Sequence, residues 1–244
     1  MLPEVEPYVA DQVDPTENPP ARPALTVRLG PVSLTGTGAV AALVCLVGLL
    51  AWLLVWMRPS GRMLLTGGLW FAFVVYWSAA AKNAAPAESG ESPASRAVHT
   101  RLLNASLLLL FLPLPGLRGR FLPDGALIVA CGLTLQLLGF ALAAWARRHL
   151  GRNWSGAIAI AAGHDLVRSG PYRLVRHPIY SAMFAMFGGT AVVSGELHAL
   201  LAITLLAIAY WRKIRLEERA LGARFGAAYE DYRRATWALI PGLF

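Results

Sequence analysis

The sequence predicts an all-α, polytopic integral membrane protein with about six transmembrane segments. Three observations support this fold class. First, 56% of the 244 residues are hydrophobic and only 15% are charged. Second, the apolar residues are gathered into long runs, several of which approach the roughly 20 residues that a helix needs to cross the hydrocarbon core. Third, the basic residues are concentrated in alternate loops between these runs.

The N-terminal region is proline-rich and acidic. Residues 1–24 contain six prolines and five acidic residues, a composition that prevents a packed element. The region also lacks the basic start and early apolar run of a signal peptide. We therefore expect residues 1–30 to form a disordered cytoplasmic tail.

Residues 31–146 are predicted to form the N-terminal transmembrane helices. The apolar segments in this region are Leu34–Met57, Met63–Ala81, Leu102–Gly116 and Leu122–Ala146. The third segment is short and contains Pro113 and Pro115 near its end. Residues 82–101 are rich in Pro, Ser, Gly and charge, which predicts a surface loop.

The pattern changes in the C-terminal region, residues 147–244. A polar, basic stretch from Arg147 to His177 precedes two shorter apolar runs, Ile179–Val193 and Leu197–Trp211. Only Ser194, Gly195 and Glu196 separate these runs. Their lengths and the short connection predict a helical hairpin, which returns the chain to the side of the membrane that it left.

The distribution of basic residues predicts the orientation. If the N-terminus is cytoplasmic and all six segments cross, 18 Lys and Arg side chains lie inside and 4 lie outside. Both termini are therefore expected in the cytoplasm. Arg147, Arg148 and Arg152 follow the fourth segment, where they are expected to contact lipid phosphates.

The remaining composition argues against several other classes. The net charge of +8 would indicate nucleic acid in a soluble protein, but here it indicates membrane lipids as partners and no nucleic acid. Cys45 and Cys131 lie inside apolar runs and are interpreted as small core residues. No HExxH, CxxC or carboxylate cluster has metal-ligand spacing, so we expect no metal site.

Two polar blocks stand at the feet of the predicted hairpin and are expected to form one cytoplasmic pocket. The first runs from Gly163 to Tyr180 and the second from Trp211 to Tyr232. Together they supply arginine, histidine, tyrosine and a pair of glutamates. This combination suits a zwitterionic and partly aromatic ligand such as S-adenosylmethionine, because carboxylates match a cation and arginine matches an anion.

The same blocks resemble a known family. The pattern GxxLVxxGPYRxVRHPxY, followed by an apolar hairpin, then EE and FGxxYxxY, resembles the isoprenylcysteine carboxyl methyltransferases and their bacterial relatives. The resemblance covers roughly residues 147–241. It implies an integral membrane methyltransferase of the bacterial inner membrane that uses S-adenosylmethionine. The implied acceptor is lipophilic, either a small molecule or a lipidated one, and is expected to be methylated on a carboxylate oxygen.

The resemblance also implies which residues form the site. Catalytic roles fall on His177, Glu217 and Lys213. The cofactor pocket is expected to comprise His164, Asp165, Leu166, Val167, Tyr172, Arg176, His177, Pro178, Ile179, Tyr180, Glu217 and Glu218. Two positions depart from the family pattern. Lys213 stands where an arginine that contacts the acceptor is usual, and Ala182 stands where many members have glycine.

Several alternatives stay open at this stage. Methylation on sulfur or nitrogen is compatible with the pattern, and the oligomeric state cannot be read from it. A membrane reductase of the sterol-reductase type would use NADPH and carry an RHPNYxGE block, whereas this chain has RHPIYSA. A non-enzymatic membrane carrier or scaffold would show no cofactor affinity.

Overall fold

The computed structural model describes residues 26–29, 32–35, 60–81, 91–112, 114, 116–154 and 165–242. The chain divides into two compact units, Met1–Arg58 and Pro59–Phe244. His164 lies outside the described residues, as do residues 1–25 and residues 36–57 of the first predicted transmembrane segment.

The first unit contains a small antiparallel hairpin. Strands β1 (Thr26–Leu29) and β2 (Val32–Thr35) pair with Thr26 opposite Thr35 and Leu29 opposite Val32. This differs from the prediction, which placed β1 in the tail and the end of β2 in a helix. Threonine and valine favour extended backbone, and the Gly-Pro pair between the strands disfavours a continuous helix.

The second unit is helical, as predicted, apart from isolated bridges between loop residues. Its helices are α1 (Gly61–Ala81), α2 (Pro93–Phe111), α3 (Ala126–Leu150), α4 (Pro178–Ser194), α5 (Leu197–Phe225) and α6 (Ala227–Ala235). Short 3₁₀ turns cover Gly151–Asn153 and Gly170–Arg173.

Two helix boundaries correct the sequence prediction. Helix α2 begins at Pro93, inside the predicted surface loop, because the Ser92 hydroxyl accepts from the Ser95 amide at 3.2 Å and Pro93 occupies the first turn. Helix α5 continues to Phe225, well beyond the predicted end at Trp211. Its charged residues are good helix formers, so the helix extends past the apolar run that defined the prediction.

Helices α1, α3 and α5 are long and apolar enough to cross a membrane, and α4 is apolar but shorter, with 17 residues. Their outer faces expose large apolar side chains, including Phe71, Val75, Leu127, Leu138 and Ile208. Such a surface is suited to lipid. The described chain is therefore an integral membrane protein with three candidate spans by length and composition, rather than a confirmed set of six.

Helices α3 and α4 pack closely through glycines. A Cβ atom added at Gly139 would lie 2.8 Å from the Ala182 carbonyl oxygen, and one at Gly189 would lie 2.7 Å from the Gln136 amide nitrogen. Small residues let membrane helices approach to backbone contact. Ala182 itself is fully buried in this contact, so its methyl group is accommodated opposite Gly139.

The ends of the helices are fixed by backbone hydrogen bonds. At one end, the loop before α3 bonds to the turn between α4 and α5, through Phe121 to Gly195 at 2.9 Å. At the other end, Arg176 and His177 donate to the carbonyls of Trp237 and Ala238 at 2.8 and 3.0 Å. The predicted hairpin is thus present as α4 and α5, and the start of α4 lies beside the C-terminal segment.

Candidate active site

The predicted polar residues meet where α4 begins beside the charged half of α5. His177 immediately precedes α4 and is buried. Its Nδ1 lies 3.5 Å from Glu217 Oε2, and its Nε2 lies 3.3 Å from Glu218 Oε1. Two adjacent glutamates of one helix therefore flank both nitrogens of one imidazole.

This arrangement determines the protonation of His177. Burial alone would lower the pKa of His177, but hydrogen bonds to Glu217 and Glu218 and the charges of those carboxylates raise it above its ordinary value. A protonated imidazole can donate to both carboxylates at once. The site therefore favours a positively charged His177 between two ionised glutamates.

Aromatic rings extend the site toward the membrane. The Tyr180 hydroxyl donates to Glu217 Oε1 at 2.5 Å. The ring of Tyr180 stacks between His177 and Tyr210, with centroid distances of 5.4 and 4.4 Å. Glu217 is thereby held from two sides, and stacked aromatic faces lie next to its carboxylate.

Arg176 connects this centre to the C-terminal segment. Its Nε donates to Glu218 Oε1 at 2.9 Å, and its Nη1 donates to the carbonyls of Arg233, at 3.1 Å, and Thr236. Nearby, the Tyr232 hydroxyl donates to the Tyr172 carbonyl at 2.7 Å. Helix α6 and the chain that follows it are in this way fastened against the start of α4.

The phenols of Tyr172 and Tyr232 are neutral. Burial raises the pKa of Tyr172 well above its ordinary value, with a further contribution from the nearby Glu217 carboxylate. Burial likewise raises the pKa of Tyr232 to about 12. Both phenols therefore keep their protons at neutral pH.

A cavity of about 510 Å³ opens beside these residues. Its polar lining includes Tyr172, Arg176, His177, Tyr180 and Glu217. Its apolar lining comes from α1, α2 and α4, with Trp70, Phe73, Trp77, Leu103, Leu107, Met183 and Phe187 in the wall. Volumes between about 300 and 1,000 Å³ are typical of small-molecule sites.

Most of the predicted site residues line this cavity. They are Asp165, Leu166, Val167, Tyr172, Arg176, His177, Ile179, Tyr180, Lys213 and Glu217. Glu218 is not in the wall but bonds to His177 and Arg176 behind it, and Pro178 is buried in the first turn of α4. Among the described residues, the predicted set is thus gathered around one space.

The prediction missed the residues contributed by α1 and α2. Trp70, Trp77, His99 and Asn104 all line the cavity. These positions carry no local motif, because each lies in an ordinary helical or loop sequence. The aromatic and polar positions on the inner face of α1 and α2 become informative only when the packing of the helices is known.

Lys213 is paired with a residue that the prediction did not consider. Its Nζ lies 3.4 Å from Oε2 of Glu91, just before α2, and both side chains are at least 95% buried. The other Glu91 oxygen accepts from the Ser95 hydroxyl at 2.7 Å, and Arg212 donates to the same hydroxyl at 2.7 Å. The ammonium at this wall of the cavity therefore has a built-in counter-ion.

Arg147 corrects the prediction of a lipid-phosphate contact. Its side chain is 3% exposed and donates to the carbonyls of Ala80 and Gly151 at 2.6 and 2.7 Å. Its guanidinium also lies 4.5 Å from the ring centroid of Trp154. The residue joins the ends of α1 and α3 and positions a tryptophan of the cavity wall.

Comparisons with known proteins identify similar chains. Residues 127–228 match the family model described as phospholipid methyltransferase. A probable protein-S-isoprenylcysteine O-methyltransferase of Oryza sativa subsp. indica is 32% identical over 113 residues, 45% of this chain and 59% of that protein. Over this part of its length, the chain is similar to an isoprenylcysteine O-methyltransferase. The resemblance read from the sequence motifs is thereby confirmed.

Two bacterial proteins are also similar to the chain. The cobalt-zinc-cadmium resistance protein CzcN of Cupriavidus metallidurans is 36% identical over 123 residues, 49% of this chain and 54% of that protein. Methanethiol S-methyltransferase 2 of Bradyrhizobium diazoefficiens is 40% identical over 74 residues, 30% of this chain and 27% of that protein.

The alignments cover only part of each relative. The matched segments span 54%, 27% and 59% of the lengths of the three proteins named. A solved structure of a eukaryotic intramembrane Ras methyltransferase, an isoprenylcysteine carboxyl methyltransferase, aligns with 60% of this chain and 53% of its own chain, at 22% identity and a TM-score of 0.45.

Proposed function

We propose that the chain is an integral membrane methyltransferase that uses S-adenosylmethionine and acts on a lipophilic acceptor. The observation that carries the proposal is the cavity itself. A partly buried carboxylate, Glu217, stands between His177 and Tyr180 in the cavity wall, while much of the remaining wall is apolar and comes from the long helices. A polar cofactor and an apolar acceptor could therefore meet in one space.

The donor set fits S-adenosylmethionine. The cofactor carries a sulfonium and an ammonium, which a carboxylate and stacked aromatic faces attract. Glu217 offers the carboxylate and Tyr210 the aromatic ring. The cofactor also carries an adenosine group with hydrogen-bonding edges, for which Asn153 and Asp165 stand in the same wall. The cavity volume of about 510 Å³ is within the range of cofactor sites.

When bound, S-adenosylmethionine would supply an electrophilic methyl group. The protein's own residues would position and desolvate the reactants. His177 and Tyr180 fix the Glu217 carboxylate, so its charge is oriented before any ligand arrives. The apolar wall, including Trp70 and Phe187, would hold the acceptor's tail and exclude water. Alignment of nucleophile and methyl group would then account for most of the acceleration.

The placement of charge supports a cytoplasmic site in a bacterial inner membrane. The helix ends and loops on this side carry Arg148, Arg168, Arg173, Arg224, Arg233 and Arg234. Basic loops are retained on the cytoplasmic side. In this orientation the cofactor would enter from the cytoplasm and the acceptor, a small lipid or a lipidated molecule, from the bilayer.

Calorimetric titration of S-adenosylmethionine into the detergent-purified chain tests the proposal. We expect binding by the wild type and a loss of at least about ten-fold in Glu217→Gln, or about 1.4 kcal/mol, because the amide keeps the shape but not the charge. Glu230→Gln is the matched control, since that glutamate lies exposed on α6 and pairs only loosely with Arg233, at 3.8 Å. It should bind as the wild type does.

The same titration distinguishes the other functions. Binding of NADPH in place of S-adenosylmethionine would indicate a reductase of the sterol-reductase type. Binding of neither cofactor would indicate a carrier or scaffold. Equal affinity of Glu217→Gln and wild type for S-adenosylmethionine would show that the Glu217 carboxylate does not contribute to cofactor binding.

A further inference from the structure

We infer that the Glu91–Lys213 pair makes the cavity wall at Lys213 selective for an uncharged acceptor head group, a thiol or hydroxyl on a lipophilic tail, over a carboxylate. This inference rests on the proposed methyltransferase function and specifies its substrate class. It concerns the wall of the cavity where Lys213 lies, at the junction of α5 with the start of α2.

The first step is the position of the charges. Lys213 lines the cavity, whereas Glu91 lies behind it and is not part of the lining. The Nζ to Oε2 distance of 3.4 Å places the carboxylate directly against the ammonium, and the Glu91 side chain is 3% exposed. An acceptor that reaches Lys213 therefore meets an ammonium whose charge is already balanced.

The second step is the rigidity of the pair. Glu91 Oε1 accepts from the Ser95 hydroxyl, and Arg212 donates to that hydroxyl and to the Ser95 carbonyl, at 2.7 and 3.3 Å. The carboxylate is thus fixed to the first turn of α2 and to α5 at once. Lys213 could turn to a new anion only by leaving Glu91 as a buried charge with a weaker partner, which is costly.

The third step compares the possible head groups. A carboxylate acceptor would bring a second anion to a wall that already holds Glu91, and the two would repel each other in a poorly screened environment. An ammonium acceptor would meet the Lys213 ammonium. A thiol or hydroxyl carries no charge near neutral pH and can accept a hydrogen bond from Lys213 without disturbing the pair.

An uncharged acceptor also has to release a proton. Methylation of a thiol breaks its S–H bond, and the electron pair of that bond becomes available to form the new S–CH₃ bond. The bond between the methyl group and the donor sulfonium breaks, and its pair stays on the donor sulfur. His99 lines the same cavity, and its imidazole is the group that would accept this proton.

Three probes with the same tail test the selectivity. Dodecane-1-thiol, dodecanoate and dodecylamine are titrated into the full chain in lipid nanodiscs, with the fluorescence of the cavity tryptophans as the readout. In wild type we expect the thiol to bind at least ten-fold more tightly than dodecanoate. Glu91→Gln removes the carboxylate charge beside Lys213 and keeps the hydrogen-bonding shape. In this variant the affinity for dodecanoate should rise at least ten-fold, while the affinity for the thiol is unchanged.

Two controls keep the result interpretable. Glu230→Gln removes the same charge from the exposed face of α6 and should leave the order of the probes unchanged. Retained S-adenosylmethionine binding shows that Glu91→Gln is folded. If that variant does not fold, the relative affinities of the three probes for the wild type are sufficient to test the inference.

Several outcomes overturn the inference. It fails if wild type prefers dodecanoate or dodecylamine, if no probe binds, or if Glu91→Gln leaves the ratio of thiol to dodecanoate affinity unchanged. These results are distinct from a failure of the proposed function, which appears as absent S-adenosylmethionine binding in wild type. In that case the ratio of probe affinities still reports whether Glu91 selects the head group.

Discussion

His177 connects the two halves of the polar centre, since its nitrogens face Glu217 on one side and Glu218 on the other. Each glutamate has a second partner, Tyr180 for Glu217 and Arg176 for Glu218. An imidazole buried between two ionised carboxylates stabilises both only while it is protonated. The charge on His177 therefore determines whether Glu217, Glu218 and their partners keep this arrangement.

This predicts a pH dependence of stability. The pKa of His177 is raised in the folded chain, so its contribution is fully present below the ordinary histidine pKa of about 6.5 and is lost as the pH rises through the raised value. We expect the difference in thermal unfolding temperature between wild type and His177→Gln to be larger at pH 6 than at pH 9. A difference that stays constant across this range would contradict the assigned protonation.

Individual site residues differed in how far the sequence predicted them. His177, Tyr180, Glu217 and Glu218 were predicted because they occur in motifs with fixed spacing. Glu91 was not, because it lies in a Ser- and Gly-rich stretch 122 residues before its partner, and no local pattern encodes that contact. Long-range ion pairs are formed by helix packing, which a single sequence does not specify.

Among the elements, the pair α3 and α4 depends most on small residues. Gly132 and Gly189 face each other, and a Cβ on Gly132 would lie 2.7 Å from the Gly189 carbonyl oxygen. Helix α4 also begins at the polar centre, directly after His177. The glycine contact therefore sets the position of α4 and, through it, the position of the imidazole.

Gly189→Ala tests this contact, with Gly188→Ala as the matched control. An added methyl at Gly189 would lie 2.7 Å from the Gln136 amide nitrogen, whereas at Gly188 the nearest atom is Leu135 Cδ2 at 3.7 Å. We expect Gly189→Ala to destabilise the fold by about 1–3 kcal/mol through overpacking. Both changes raise helix propensity equally, so their difference isolates the packing.

Thermal unfolding in detergent measures both glycine variants. Gly188→Ala should unfold at or slightly above the wild-type temperature, and Gly189→Ala clearly below it. Equal unfolding temperatures would show that α3 and α4 separate without cost at this point, and the glycine contact would then not position the site.

The elements show where hydrophobic runs are sufficient for prediction. Helices α1, α3 and α4 lie within a few residues of their predicted boundaries, because each is a nearly uninterrupted apolar run. The start of α2 and the second half of α5 were missed, since both are polar and amphiphilic and their helical state depends on capping and on contacts with each other. Hydropathy identifies lipid-facing segments but does not identify polar, amphiphilic helical segments such as these.

At the scale of the whole second unit, the helices run alternately between two ends. Asp124 and the turn at Gly195 mark one end, where Arg62 and Arg120 pair with Asp124. The polar centre, α6 and the C-terminal segment mark the other. Most of the basic side chains lie at the second end. The asymmetry predicts that the site faces the cytoplasm.

Cysteine labelling in bacterial spheroplasts tests this orientation. In a background of Cys45→Ala and Cys131→Ala, Asp124→Cys marks one end and Arg234→Cys the other; the native side chains there are 61% and 77% exposed. A membrane-impermeant maleimide should label Asp124→Cys in intact spheroplasts and Arg234→Cys only after permeabilisation. Because both positions are solvent-accessible, the difference would report sidedness rather than burial. The reverse pattern would place the polar centre outside the cytoplasm, where S-adenosylmethionine is not supplied, and would exclude the proposed function in that membrane.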